Sequence, residues 1–242
     1  MKRQRTEDDN ATAPSYTKSI EAGELVASFR KSKSQFGGVS GSVITREGTP
    51  LCCTTPWMKL EYDPEPWDDA KQARFGKEKD KKLDANRKTD KWSFQASTDK
   101  ARFIEYVEEI KNAYALKIWE QRDTVFPNDV SKKALKSHEA LMGNFESMIK
   151  FENGLNIFRP DVRAEVGAQD ISIPIENHDN PEVQLSVQDI GKGTEVAFVI
   201  DFSSSYINKS IKVYATPLKI AVRNVVPRLT RDGAKFKGEF DD

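Results

Sequence analysis

Gly193-Thr194-Glu195-Val196-Ala197-Phe198-Val199-Ile200 runs on through Asp201-Phe202, with Val196, Phe198, Ile200 and Phe202 at every second position. Side chains alternate across a strand, so this period places the four on one face and predicts a long, half-buried strand over 194–206. Its return is the run 209–226. There Ile211 and Val213, then Leu218, Ile220 and Val222 beyond the Pro217 interruption, are expected to point inward. Lys212, Tyr214, Lys219 and Arg223 are left outward, and Tyr206 and Lys209 fall at the expected hairpin tip.

Working outward from this hairpin, 162–166, 171–175 and 183–190 read as short strands separated by turn residues. Upstream lies a helix to about Glu120, capped by Ser97 or Thr98, because Phe103, Val107, Ile110 and Tyr114 recur at helical spacing. A second helix is expected from Ser131, with Leu135, Leu141, Met142, Phe145 and Ile149 on one side and Asn153-Gly154 as its stop. Before the helices come strand candidates at 24–30, 42–46, 51–62 and 91–97. Residues 63–90, with Pro64, Pro66, Gly76 and a run of alternating charge from Lys77 to Lys82, read as a long charged loop. Residues 1–19 are polar without a period and read as a disordered arm. The order of strands, two helices and strands predicts a mostly β fold with an α insertion at 98–151, an α+β or barrel arrangement rather than a βαβ alternation. One domain over 20–231 and an acidic, aromatic tail at 232–242 complete the expected organisation.

The 242 residues hold 38 basic and 38 acidic side chains, yet the charge is segregated. Residues 71–91 carry nine basic and four acidic groups, 152–190 two and eight, and 191–231 seven and two. The basic blocks adjoin runs that put an aromatic and a cation on one face, Trp57 with Lys59 and Lys212 with Tyr214. Such a face suits a polyanion with exposed bases. Along 55–62, Met58, Leu60 and Tyr62 share the face opposite Trp57 and Lys59, so an inward aliphatic pair exposes Trp57. By the same parity Lys91 faces out while Trp92 and Phe94 face in, though Trp92 also enters the candidate binding set as an aromatic beside a lysine.

Other chemistries find little support. His138 and His178 have no cysteine neighbours, and no nucleophile elbow, zinc-protease helix, phosphate-binding loop or dinucleotide fingerprint occurs. Asp68-Asp69 and Glu108-Glu109 are adjacent carboxylates that do not converge on one metal by themselves. No catalytic residue, metal ligand or cofactor is therefore expected. Adjacent Cys52 and Cys53 make neither a disulfide framework nor a zinc cluster. No window approaches the roughly 18 apolar residues of a membrane span, nor is there the apolar core of a signal peptide, so a soluble intracellular protein is expected.

Thr55-Pro56-Trp57-Met58-Lys59-Leu60, Lys91-Trp92-Ser93-Phe94-Gln95-Ala96-Ser97 leading into a helix, and 193–200 with its return to Val226 give an arrangement. It resembles the OB-fold single-stranded DNA-binding proteins of short-tailed phages and large double-stranded DNA viruses. The resemblance implies an OB-like β-barrel with two inserted helices, binding single-stranded DNA without sequence preference in replication, repair or recombination, in host cytoplasm or nucleus if viral. It implies bases stacked in a groove at Trp57, Lys59, Lys212 and Tyr214, and a tail, here Phe240, Asp241 and Asp242, that contacts replication proteins. The tail is shorter and less acidic than in the phage proteins, and the helix expected at 131–151 enlarges the insertion. The full candidate interface is Trp57, Lys59, Lys91, Trp92, Tyr206, Lys209, Lys212, Tyr214, Lys219 and Arg223, with self-association left open. Two other classes fit the same composition: a virion or scaffold protein with a β-sandwich core, and a metal-dependent nuclease.

Overall fold

The computed structural model describes residues 16–32, 38–67, 71, 88–126 and 137–228. In chain order the elements open with β1 (Leu25–Lys31), β2 (Val39–Thr45), β3 (Cys52–Thr54), β4 (Met58–Leu60), β5 (Glu65–Trp67), β6 (Thr89–Ser93) and β7 (Ala96–Thr98). Helices α1 (Ala101–Glu120), α2 (Arg122–Val125) and α3 (His138–Met142) follow. The chain then returns to strands: β8 (Ile149–Glu152), β9 (Leu155–Phe158), β10 (Val162–Glu165), β11 (Ile175–Asn177), β12 (Glu195–Asp201), β13 (Ser204–Ile207), β14 (Ile211–Val213) and β15 (Thr216–Arg223). The fold is mostly β with helices inserted between strands, as expected. No described helix is long and apolar enough to cross a membrane.

The described residues gather into two compact units. The first draws on the described residues within 16–56, 100–149 and 198–216. Its sheet has the order β1-β2-β13-β14 and is antiparallel throughout. One face of it is apolar: Phe29, Val39, Ile207 and Ile211 pack against Ala115 and Ile118 of α1, with Val125 and Leu141 closing the cluster. A Cβ at Gly41 would run into the Phe29 ring and the Ser205 hydroxyl, so only glycine lets Phe29 cover its neighbouring strand. The expected helix face is buried, Phe103, Val107, Ile110 and Tyr114 included. Tyr114 donates its hydroxyl to the Phe202 carbonyl at 2.6 Å. The start of α1 differs from expectation: Lys100 is the N-cap residue, without a side-chain capping bond, because Ser97 and Thr98 are committed to β7. Tyr16, expected in a disordered arm, lies edge-on to Phe103 at 5.8 Å, and Arg102 reaches Ser19.

The second unit draws on the described residues within 57–99, 150–197 and 217–228. Its strands follow the order β11-β15-β12-β4-β7-β9-β8, beside a smaller sheet β10-β6-β5. β5 lies at the edge of the smaller sheet, the one place where Pro66, lacking a donor, costs no ladder bond. That strand and the start of β6 replace the two ends of the expected loop, whose 68–70 and 72–87 lie outside the described residues.

Several expectations are corrected. The second helix does not reach Asn153: among the described residues it covers only His138–Met142, and Ile149 opens β8. Asn153 (φ 52°) and Gly154 (φ 80°) form a two-residue turn between β8 and β9. Both residues sit at positive φ, the geometry an Asn-Gly hairpin turn requires, so the dipeptide turns a hairpin here instead of stopping a helix. Residues 171–174 are not strand, and 183–190 contains a 3-10 turn over Val187–Asp189 closed by a Ser186/Asp189 capping box. Each arm of the long hairpin breaks in the middle, at Phe202-Ser203 and at Tyr214-Ala215, so that β12 and β15 join one sheet and β13 and β14 another. Leu218, expected inside, is 49% exposed, while Pro217 is buried in its place.

Candidate nucleic-acid interface

The outward face of the first unit's sheet follows from its register. Phe29, Val39, Gly41, Ser205 and Ile207 point to the helix side, so their neighbours Arg30, Ser40, Ser42, Ser204 and Tyr206 point away. Arg30 pairs with Ser40, Ser40 with Tyr206, and Tyr206 with Lys212. The four form one row across β1, β2, β13 and β14, and Ser28, Ser42 and Ser204 form the next across the first three strands. Lys212 holds its ammonium 4.7 Å from the Tyr214 ring centroid. The face thus carries a cation at each end, a phenol ring between, and small hydroxyls that leave it open. Arg30, Ser28, Ser40, Ser42 and Ser204 are exposed, while Tyr206, Lys212 and Tyr214 are half-buried. Lys209 sits exposed in the turn at 208–210, but Tyr206 lies within β13 and not at the tip. Arg30 escaped the sequence reading. Its signal was the parity around Phe29, which needs the register of β1 to become a row.

In the second unit Met58 and Leu60 are buried and Lys59 is exposed, as parity required. Tyr62, expected inside, is 52% exposed, because β4 ends at Leu60 and releases it; Lys192 lies 5.9 Å from its ring. Trp57 is half-buried between partners: the Arg223 guanidinium stands over its ring at 4.5 Å, and the His178 ring lies at 5.4 Å. Arg223 also forms an ion pair with Glu195, and Lys219 pairs with Glu176 at 2.6 Å. The outward edge of β15 is therefore charge-compensated, and exposed pairs of this kind contribute about 0–1 kcal/mol. Lys91 is exposed, with its ammonium 3.8 Å from Asp161, which Arg163 also contacts at 3.2 Å. Trp92 is 1% exposed. A ring so enclosed offers no face to a base, which excludes it as a stacking platform. The three tail positions Phe240, Asp241 and Asp242 lie outside the described residues.

The remaining titratable groups offer little nucleophilic chemistry. Burial, reinforced by the nearby Asp201 carboxylate, pushes the Cys52 thiol up to about 11, and burial pushes Cys53 up to about 12. Both are thiols at neutral pH, not the thiolates that react. Among the described residues no three His, Cys, Asp or Glu side chains gather closely enough to hold a metal ion.

No family model matches this chain, and no curated protein matches it. Among solved structures the chain is similar to gp2.5, a single-stranded DNA binding protein encoded by bacteriophage T7. The identity is 13%, the match covers 80% of this chain and 100% of that one, and the TM-score is 0.38.

Proposed function

We propose that this chain binds single-stranded DNA without sequence preference, on the outward face of the β1-β2-β13-β14 sheet, in replication, repair or recombination. The observation that supports this reading is the row Arg30, Ser40, Tyr206 and Lys212, placed side by side by the strand register. Strands lie about 4.8 Å apart, so the two cations flank the ring at a distance that suits phosphates on either side of a stacked base. Stacking on an aromatic ring contributes about 1–3 kcal/mol per base and requires the base face to be free, which a duplex denies. Neutralising two phosphates of a single strand gives a log-log salt slope of about −1.4, and the hydroxyls of the neighbouring row add polar contacts without base discrimination. Within the second unit, Trp57 with Arg223 and Tyr62 with Lys192 are ring and cation pairs of the same chemical kind. The reading extends to Phe240, Asp241 and Asp242, where one ring among carboxylates is a fit anchor for a replication protein.

The test is fluorescence anisotropy of a labelled oligo-dT and of a duplex of equal length, at about 50 and 200 mM salt. Tighter binding of the single strand, weakening with salt, is expected. Equal affinity for the duplex, or no salt dependence, contradicts the proposal.

A further inference from the structure

Phe151 is 73% exposed, an unusual setting for a large apolar side chain within a strand. Its strand, β8, ends the sheet order: β9 pairs with it on one side, and no described strand pairs with it on the other. The Asn153-Gly154 turn decides which backbone groups face that open edge. A two-residue turn makes its flanking residues, Glu152 and Leu155, a hydrogen-bonded pair, and the direction of the N–H and C=O groups then alternates along the strand. Lys150 and Glu152 therefore bond towards β9, while Ile149 and Phe151 turn theirs to the edge. The Ile149 carbonyl already accepts the Ser147 hydroxyl. Phe151 thus combines an outward donor and acceptor with an exposed ring, and an open edge of this kind is a template for another strand.

We propose that β8 pairs with β8 of a second copy of this chain, antiparallel about a two-fold axis at Phe151, so that the two Phe151 rings adjoin. Charge selects both the occupant and the register. Lys150 and Glu152 flank Phe151 with opposite charges, both on the strand face opposite its ring. An axis at Phe151 sets each Lys150 against Glu152 of the other copy, twice over, in the closely spaced pairs where side chains approach best. An axis at Lys150 would set that ammonium against its own copy, and an axis there or at Ile149 would need the carbonyl that Ser147 occupies. The segment Lys150-Phe151-Glu152 is therefore complementary to itself, as an isologous contact requires. The contact is short, so the dimer is weak, with a dissociation constant on the order of 100 µM. It forms whatever ligand the chain binds.

The test is sedimentation velocity of the full chain without nucleic acid, from about 10 to 500 µM. The parent is expected to pass from monomer towards dimer across that range. Lys150→Glu and Glu152→Lys each turn both ion pairs into like-charge pairs, and each should weaken the dimer by about tenfold or more. Mixed one to one, the two variants bring opposite charges together again at both places, so a heterodimer should return at parental strength. Glu152 also pairs with Arg159, so urea midpoints check that each variant folds. Should Glu152→Lys not fold, Phe151→Lys replaces it: that change sets two cations together at the axis and must itself leave a monomer. A parent that stays monomeric throughout overturns the inference. So does a dimer indifferent to these substitutions, or a mixture of the two charge variants that stays monomeric.

Discussion

Tyr206 and Lys212 stand directly opposite each other across the β13–β14 pair, and Tyr206 faces Ser40 on its other side. Strand pairing fixes this relation before any ligand arrives, so the entropy of bringing ring and cation together is met during folding and not during binding. The same ladder places Arg30 two strands from Tyr206. Helix α1, packed on the opposite face through Ala115 and Ile118, keeps the row on a rigid support.

Gly38 gives the first prediction. It sits at φ +98°, and a Cβ there would stand 2.7 Å from the Tyr206 hydroxyl and from the Ile207 carbonyl oxygen. Gly38→Ala should therefore cost about 1–3 kcal/mol, read as a lower urea midpoint, and should displace the Tyr206 ring enough to weaken oligo-dT binding. A variant of parental stability and affinity would show that the backbone yields there without consequence.

Trp57 and Arg223 give the second. A double-mutant cycle with Trp57→Leu and Arg223→Gln, followed by urea unfolding, should return a coupling of about 0.5–1 kcal/mol for the guanidinium over the ring. Zero coupling would mean that Glu195 alone holds Arg223.

Acid supplies the third. The hydrogen bond from Arg102 holds the Glu109 carboxyl below its ordinary 4.5, and the Lys71 hydrogen bond does the same for Glu65, with Arg228 assisting. A carboxyl lowered in the folded state binds fewer protons there than in the unfolded chain. Its stabilisation is complete above 4.5 and is lost as pH falls through the folded value. The urea midpoint should hold steady down to about pH 5 and then fall, and Glu109→Gln should shrink that fall. An acid decline identical in the variant contradicts the assignment.

Thiol chemistry supplies the fourth. With Cys52 at about 11 and Cys53 at about 12, alkylation by iodoacetamide at neutral pH should be slow in the folded chain and fast once urea unfolds it. Fast labelling of the native protein would contradict the burial of Cys53.

The sequence carried the core more fully than the site. The two-residue period from Val196 to Phe202 is honoured by four fully buried side chains, and Met58 and Leu60 turn inward as parity demanded. Asn153-Gly154 was misread because the same dipeptide serves a helix end and a hairpin turn, and the choice lies with the strands on either side. The alternation of Val183, Leu185 and Val187 misled for a different reason: of the three only Val187 is buried, and the chain there turns without pairing as a strand. Lys219 and Arg223 were seen as outward cations, but their partners Glu176 and Glu195 come from β11 and β12, strands whose placement beside β15 no local pattern encodes. Arg30 was hidden likewise, since it joins Tyr206 only through the pairing of β2 with β13, more than 150 positions away along the chain.

The central claim is that one row on one sheet face binds the single strand, and it is tested by the salt dependence of oligo-dT affinity in the parent, Tyr206→Ala and the Arg30→Ala/Lys212→Ala pair. These side chains point away from the apolar cluster, so unchanged urea midpoints are expected and confirm that folding is not at issue. Tyr206→Ala should lose about 1–3 kcal/mol of affinity at every salt concentration with the slope kept. The double variant should flatten the slope by about 1.4, the loss of two phosphate contacts. Parental affinity and slope in both variants would place the nucleic acid elsewhere, and no oligo-dT binding by the parent would remove it altogether.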